Sequence, residues 1–153
     1  MLDGLLLSIY EQLLRESDGP DDEQVFVHPF DPRLTVVILY PTSPQYTAAS
    51  KLFRSHMTHA FLLFDKRLVA LDGAVVEQDW FTTDHFDVIM AHELAHFLLK
   101  HRERSRNNER QADWLGIKLL LGNDRRTAAD LLVKLYKKRY RRSWAESKPV
   151  VVP

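Results

Sequence analysis

The chain has 153 residues, 45% of them hydrophobic and 27% charged, with 21 Lys+Arg against 21 Asp+Glu and no cysteine. That size and balance fit one folded domain with its own core and exclude wholesale disorder. The missing cysteines exclude disulfides, thiolate zinc sites and thiol nucleophiles.

Residues 2–16 place Leu2, Leu5, Leu6, Ile9 and Leu13 at helical spacing. Asp3 precedes the apolar patch and no basic residue does, so no secretory signal is read there. The run from Ser17 to Asp22 ends that helix with breaker residues. Two β-rich runs follow, Val25–Val27 and Leu34–Tyr40, parted by the turn dipeptides His28-Pro29 and Asp31-Pro32. Tyr46–Arg54 suits a short helix. His59–Leu71 reads as a strand or hairpin, with Asp65-Lys66-Arg67 at its tip and Asp72-Gly73 as a turn after it. A helix is expected from Thr82-Thr83-Asp84, capped by Thr83 or Asp84, to about Arg102. A second runs from Asn107-Asn108 to Leu121 and stops at Gly122-Asn123. Asp124 can cap a third, which carries Ala128, Leu131, Leu132, Leu135 and Tyr136. Helix, then strands, then helices indicates the α+β class, with one domain over residues 1–142 and a tail over 143–153.

No apolar run approaches 18 residues, so no membrane helix is expected, and the expected setting is the cytoplasm. Charge divides along the chain. Residues 1–99 carry 6 Lys+Arg against 15 Asp+Glu, and residues 100–153 carry 15 against 6. Such blocks are usually solvated faces, and acidic and basic halves can face one another within a fold or across a dimer. The basic half, with Lys137-Lys138-Arg139-Tyr140-Arg141-Arg142, also suits an acidic partner or nucleic acid, though nucleic acid is the less favoured occupant.

The chemistry lies in His92-Glu93-Leu94-Ala95-His96, an H-E-x-x-H sequence. Four residues turn an α-helix through about 400°, which leaves His92 and His96 about 40° apart on one face. Both imidazoles can reach one Zn²⁺, and Glu93 beside them can take the proton of a water attacking a carbonyl. Thirteen residues after His96, Glu109-Arg110-Gln111-Ala112-Asp113 places two carboxylates one helical turn apart. Glu109 on a facing helix can complete a His₂Glu set that leaves one position for water. Asp113 can accept the free ring N–H of a liganding histidine and fix its tautomer.

H-E-x-x-H followed by E-x-x-x-D resembles the pattern of the gluzincin metallopeptidases. The resemblance runs over about residues 59–121 and is nearest to the prenyl-protease and heat-shock-type gluzincins and the soluble minigluzincins. It implies a zincin-like fold in which a small mixed sheet lies over the active-site helix. It also implies hydrolysis of peptides or proteins, with Zn²⁺ held by His92, His96 and Glu109, Glu93 as general base and Asp113 in support. His59–Phe64 would be an edge strand that a substrate extends. An oxyanion donor is expected from Tyr136, Tyr140, Arg110 or Arg139. In minigluzincins a terminal segment can block the cleft, a role open to Val150–Pro153. The chain departs from the pattern where the usual Asn that starts the strand segment is His59. The rival reading is a non-enzymatic, zinc-stabilised regulatory module that holds a partner with its basic half.

The other histidines receive no site role. His101, nine positions after His92, falls on the opposite side of a continuous helix. His85 is read as a residue of the helix start, and His28, His56 and His59 lack ligand spacing. Trp80 and Trp114 are expected in the core. Substrate preference and oligomeric state are not encoded in these motifs.

Overall fold

A computed structural model describes residues 23–43, 46–55 and 58–140. The expected helix at 2–16, His56 and the tail at 143–153 lie outside the described residues. The chain divides into two units, residues 1–78 and 79–153.

The first unit is built on a four-stranded mixed sheet in the order β1-β2-β4-β3. β1 (Glu23–Val27) pairs antiparallel with β2 (Thr35–Leu39), β2 runs parallel to β4 (Leu68–Asp72), and β3 (Ala60–Leu63) pairs antiparallel with β4. A parallel pair needs a crossover, and the chain between β2 and β4 contains α1 (Tyr46–Ser55) as well as β3. The expected hairpin is present: a 3₁₀ turn over Phe64–Lys66 and Arg67 at φ 50° reverse the chain between β3 and β4. Side chains alternate along each strand. Val37, Leu39, Phe61, Leu63, Leu68 and Ala70 therefore form one buried cluster with Ala49 and Phe53 of α1, where Phe53 stacks on Phe61 at 5.4 Å. Val36, Ile38, Val69 and Leu71 on the other face are buried as well. β3 stands at one edge of this sheet, as expected.

The expected Asp72-Gly73 turn is instead the start of α2 (Gly73–Val76), with the Asp72 carboxylate accepting from Ala74 N at 3.0 Å. Tyr46 donates its hydroxyl to the same oxygen at 2.9 Å. Gly73 is required by a close approach, since a Cβ there would stand 2.5 Å from the Leu39 carbonyl oxygen and 2.7 Å from Tyr40 Cα.

Among the described residues, the second unit contains three helices. α3 (Thr83–Leu98) begins one residue earlier than expected, with Thr82 as cap. Thr82 Oγ1 accepts from His85 N, and the His85 ring accepts from Thr82 N, a capping box with His in the place usually held by Glu or Gln. α3 stops at Leu98 rather than near Arg102, because Lys100 adopts φ 57° and turns the chain away. α4 (Arg106–Gly122) is capped by Ser105, not by the Asn pair, and Ser105 Oγ accepts from Asn108 N at 3.0 Å. Asp124 does not cap the third helix; at φ 56° it closes α4 before α5 (Arg126–Tyr140) starts.

Small residues let α3 and α4 approach. Ala91, Ala95, Ala112 and Gly116 are all buried, and a Cβ on Gly116 would lie 3.6 Å from the backbone of Ala91 and of His92. α5 is tied to the start of α3 where Thr127 donates to Asp84 Oδ1 at 2.9 Å, and it buries Ala128, Ala129, Leu132 and Tyr136. Trp114 is buried as expected. Trp80 is not core: it is half exposed and meets the rings of Phe81 and His85 edge-on.

Candidate metal centre

α3 and α4 bring together the residues that the motifs single out. His92 Nε2 and His96 Nε2 lie 3.0 Å apart, and Glu109 Oε2 is 3.0 Å from the first and 2.7 Å from the second. One ligand atom from each residue lies within 4.8 Å of the others, an arrangement that can hold a metal ion. For bonds of about 2.0–2.1 Å the edges of a zinc tetrahedron run to roughly 3.3 Å, so this triangle is close to one of its faces.

The outward nitrogens decide how the triangle is protonated. His92 Nδ1 is 2.7 Å from Asp113 Oδ1. An ionised carboxylate only accepts, so Nδ1 carries the proton and a neutral His92 turns a bare Nε2 inward. Asp113 is fully buried, and its other oxygen accepts from Arg139 Nη1 at 2.9 Å and from the Tyr140 hydroxyl at 3.2 Å. Glu109 is likewise divided: Oε2 faces the imidazoles, and Oε1 accepts from Arg104 Nη2 at 2.9 Å. With both imidazoles neutral and Nδ1-protonated, three lone pairs converge with no proton among them. That donor set fits a divalent cation accepting nitrogen and oxygen.

Burial opposes charge on His92. The field and hydrogen bond of Asp113, with the hydrogen bond of Glu109, nevertheless raise it to about 10. In the metal-free protein His92 is thus an imidazolium clasped between two carboxylates. Burial pulls the other way on Glu109 too, yet hydrogen bonds from His92 and His96 hold its carboxyl far below the usual range. Burial lowers His96. Glu93 is buried, and that burial lifts its carboxyl to about 7, with the His92 charge opposing and Glu109 reinforcing.

All five site residues expected from sequence are therefore on α3 and α4, in the second unit. Arg104, His101 and Gln111 also belong to this cluster and were not anticipated. Arg104 lies in the connection between helices, where spacing carries no signal. Among the candidate oxyanion donors, Arg139 and Tyr140 are committed to Asp113 and Tyr136 is wholly buried. The Arg110 Nε is buried with no hydrogen-bond partner among the described residues. His28 is buried and accepts from Phe30 N, and His59 is exposed. No protein-family model matches the chain, and no curated protein or solved structure gives a significant match.

Proposed function

We propose that the chain is a zinc-dependent endopeptidase of the gluzincin type with a zincin-like fold. The observation that carries this reading is the convergence of His92 Nε2, His96 Nε2 and Glu109 Oε2 beside a buried Glu93 whose carboxyl is lifted to about 7. Zinc ligation alone has no use for a carboxylate at Glu93, whereas a general base is most effective with a pKa near the working pH. The order of the two motifs in sequence supports the same class.

Zn²⁺, when bound, supplies a Lewis acid that polarises a carbonyl and acidifies water. The remaining steps belong to the chain. Glu93 takes a proton from the attacking water on a carboxylate oxygen, then returns it to the nitrogen of the leaving amine. Asp113 keeps the His92 proton on Nδ1, and Arg104 engages the Glu109 oxygen that does not face the imidazoles. The tail at 143–153 is proposed to hold the enzyme latent.

The test is metal analysis of the purified chain together with cleavage of a mixed peptide library. Stoichiometric zinc and chelator-sensitive cleavage are expected. A zinc-loaded chain that cleaves nothing, with or without residues 143–153, refutes the peptidase reading. Equal cleavage by the full and truncated chains removes the latch alone.

A further inference from the structure

We propose that His101, anchored by Gln111, is a positioning residue for His96 and fixes the tautomer that turns His96 Nε2 toward His92 and Glu109. The inference rests on the metal-binding part of the reading above and not on peptide cleavage.

Had α3 continued, His101 would lie across the helix from the site. It does not continue. Lys100 N donates to Phe97 O at 3.2 Å and His101 N donates to His96 O at 3.0 Å, with Lys100 in the left-handed conformation between them. This is a Schellman ending, with Lys where Gly is usual. It folds the chain back over the last turn and sets the His101 ring 5.2 Å from that of His96.

His96 Nδ1 and His101 Nδ1 are 3.0 Å apart, so one proton lies between them. A ligand nitrogen must be bare, and a neutral imidazole has one N–H. When His96 Nε2 gives its lone pair to a metal ion, the His96 proton sits on Nδ1 and is donated to His101. His101 then accepts at Nδ1 and keeps its own proton on Nε2, which it donates to Gln111 Oε1 at 3.1 Å. Every proton along the line is assigned, and α4 supplies the last acceptor on this side as Asp113 does on the other. The two supports differ in kind. A buried carboxylate backs His92, and a neutral imidazole and amide back His96. His96 is the weaker donor, and its orientation depends on His101.

The experiment uses the full chain and measures zinc affinity by competition with a chromophoric chelator, the visible spectrum of the Co²⁺ form, and the melting temperature without metal. His101→Phe keeps a ring and removes the acceptor. It is expected to weaken zinc binding about 10–100-fold and to alter the Co²⁺ bands, as loss of such outer partners does. His101→Asn places a carbonyl oxygen near the lost Nδ1 and is expected to recover most of the affinity. Gln111→Leu is expected to weaken zinc in the same direction, by less. A His101→Phe affinity within twofold of the parent, or equal losses in Phe and Asn, overturns the proposal. If His101→Phe fails to fold, the ordering of Asn above Gln111→Leu decides the matter, and any other ordering overturns it. A parent chain that binds zinc but cleaves no peptide defeats only the peptidase reading, while one that binds no zinc defeats both.

Discussion

His92 Nδ1 and Asp113 Oδ1 are joined at 2.7 Å, and the Asp113 residue has no exposed surface. The bond crosses from α3 to α4 and carries on to α5 through Arg139 and Tyr140 on the second carboxylate oxygen. One buried anion thus orients a candidate ligand and ties three helices together.

Asp113→Ala is expected to damage both roles. Removing one partner of a buried charged pair costs about 3–5 kcal/mol, and the largely buried His92 bears that cost here, while water can reach the half-exposed Arg139. Zinc affinity is expected to fall about 10–100-fold with the loss of the ligand's outer partner. Asp113→Asn keeps an oxygen for His92 Nδ1 but not the charge, so it should lose less stability. Chemical denaturation of the metal-free variants and chelator competition measure the two effects separately. Equal stability of Ala variant and parent would contradict the buried anion's role.

Zinc must displace a proton from His92. That group stands at about 10 in the metal-free fold against an ordinary value of 6.5. A raised histidine stabilises the fold fully below the unfolded value, and this contribution fades as pH climbs from about 6.5 to about 10. Metal binding has the opposite trend. Between about pH 7 and 10 the apparent zinc affinity is expected to rise roughly tenfold per pH unit, with one proton released per ion. Calorimetry in buffers of different ionisation enthalpy counts that proton. A pH-independent affinity over this range would show that His92 is already neutral.

Glu93→Gln separates chemistry from ligation. Zinc binding is expected to persist while cleavage falls by about 10²–10⁴-fold, the usual worth of a general base. Stability provides an independent reading. In the metal-free parent the Glu93 carboxyl is lifted from 4.5 to about 7, so ionising it disfavours the fold. The penalty is absent below about pH 4.5, grows between 4.5 and 7, and is complete above. At pH 8 the metal-free Gln variant should therefore be more stable than the parent, by on the order of 1–3 kcal/mol, and at pH 4 the two should converge. Unfolding curves at both pH values decide this, and normal turnover by the variant would remove Glu93 from the reaction.

The candidate ligand positions are legible because helical spacing is rigid: His92 with His96, and Glu109 with Asp113, share a face wherever their helix goes. The hairpin at Asp65–Arg67 was legible for a similar reason, since charged residues between two apolar runs leave few alternatives. What spacing does not carry is the chain's behaviour at helix ends. Lys100 and Asp124 adopt positive φ without being glycine, at 57° and 56°. Helical spacing alone does not announce that choice, so it carries α3 past Leu98 and puts His101 on the wrong side. Trp80 departs from the expected core position because an aromatic beside a helix cap can meet its neighbours edge-on without entering the core.

The strain at Lys100 is open to relief. Left-handed backbone costs an ordinary residue roughly 1–2 kcal/mol, part of which glycine returns through greater freedom in the unfolded chain. Lys100→Gly should therefore stabilise the metal-free fold by about 0.5–1 kcal/mol, since the Schellman bonds from positions 100 and 101 are unaffected by the side chain. Lys100→Pro should do the reverse. A proline has no N–H for the Phe97 carbonyl, and its ring fixes φ near −65°, far from 57°. Because the turn at Lys100 delivers His101 to His96, the proline variant should also weaken zinc binding, while the glycine variant leaves it intact. Melting temperature and zinc affinity measured on the same two proteins test this directly. A stabilised glycine variant with parental affinity, beside a proline variant impaired in both, is the expected pattern; proline with parental affinity would mean that the helix ending does not govern the site.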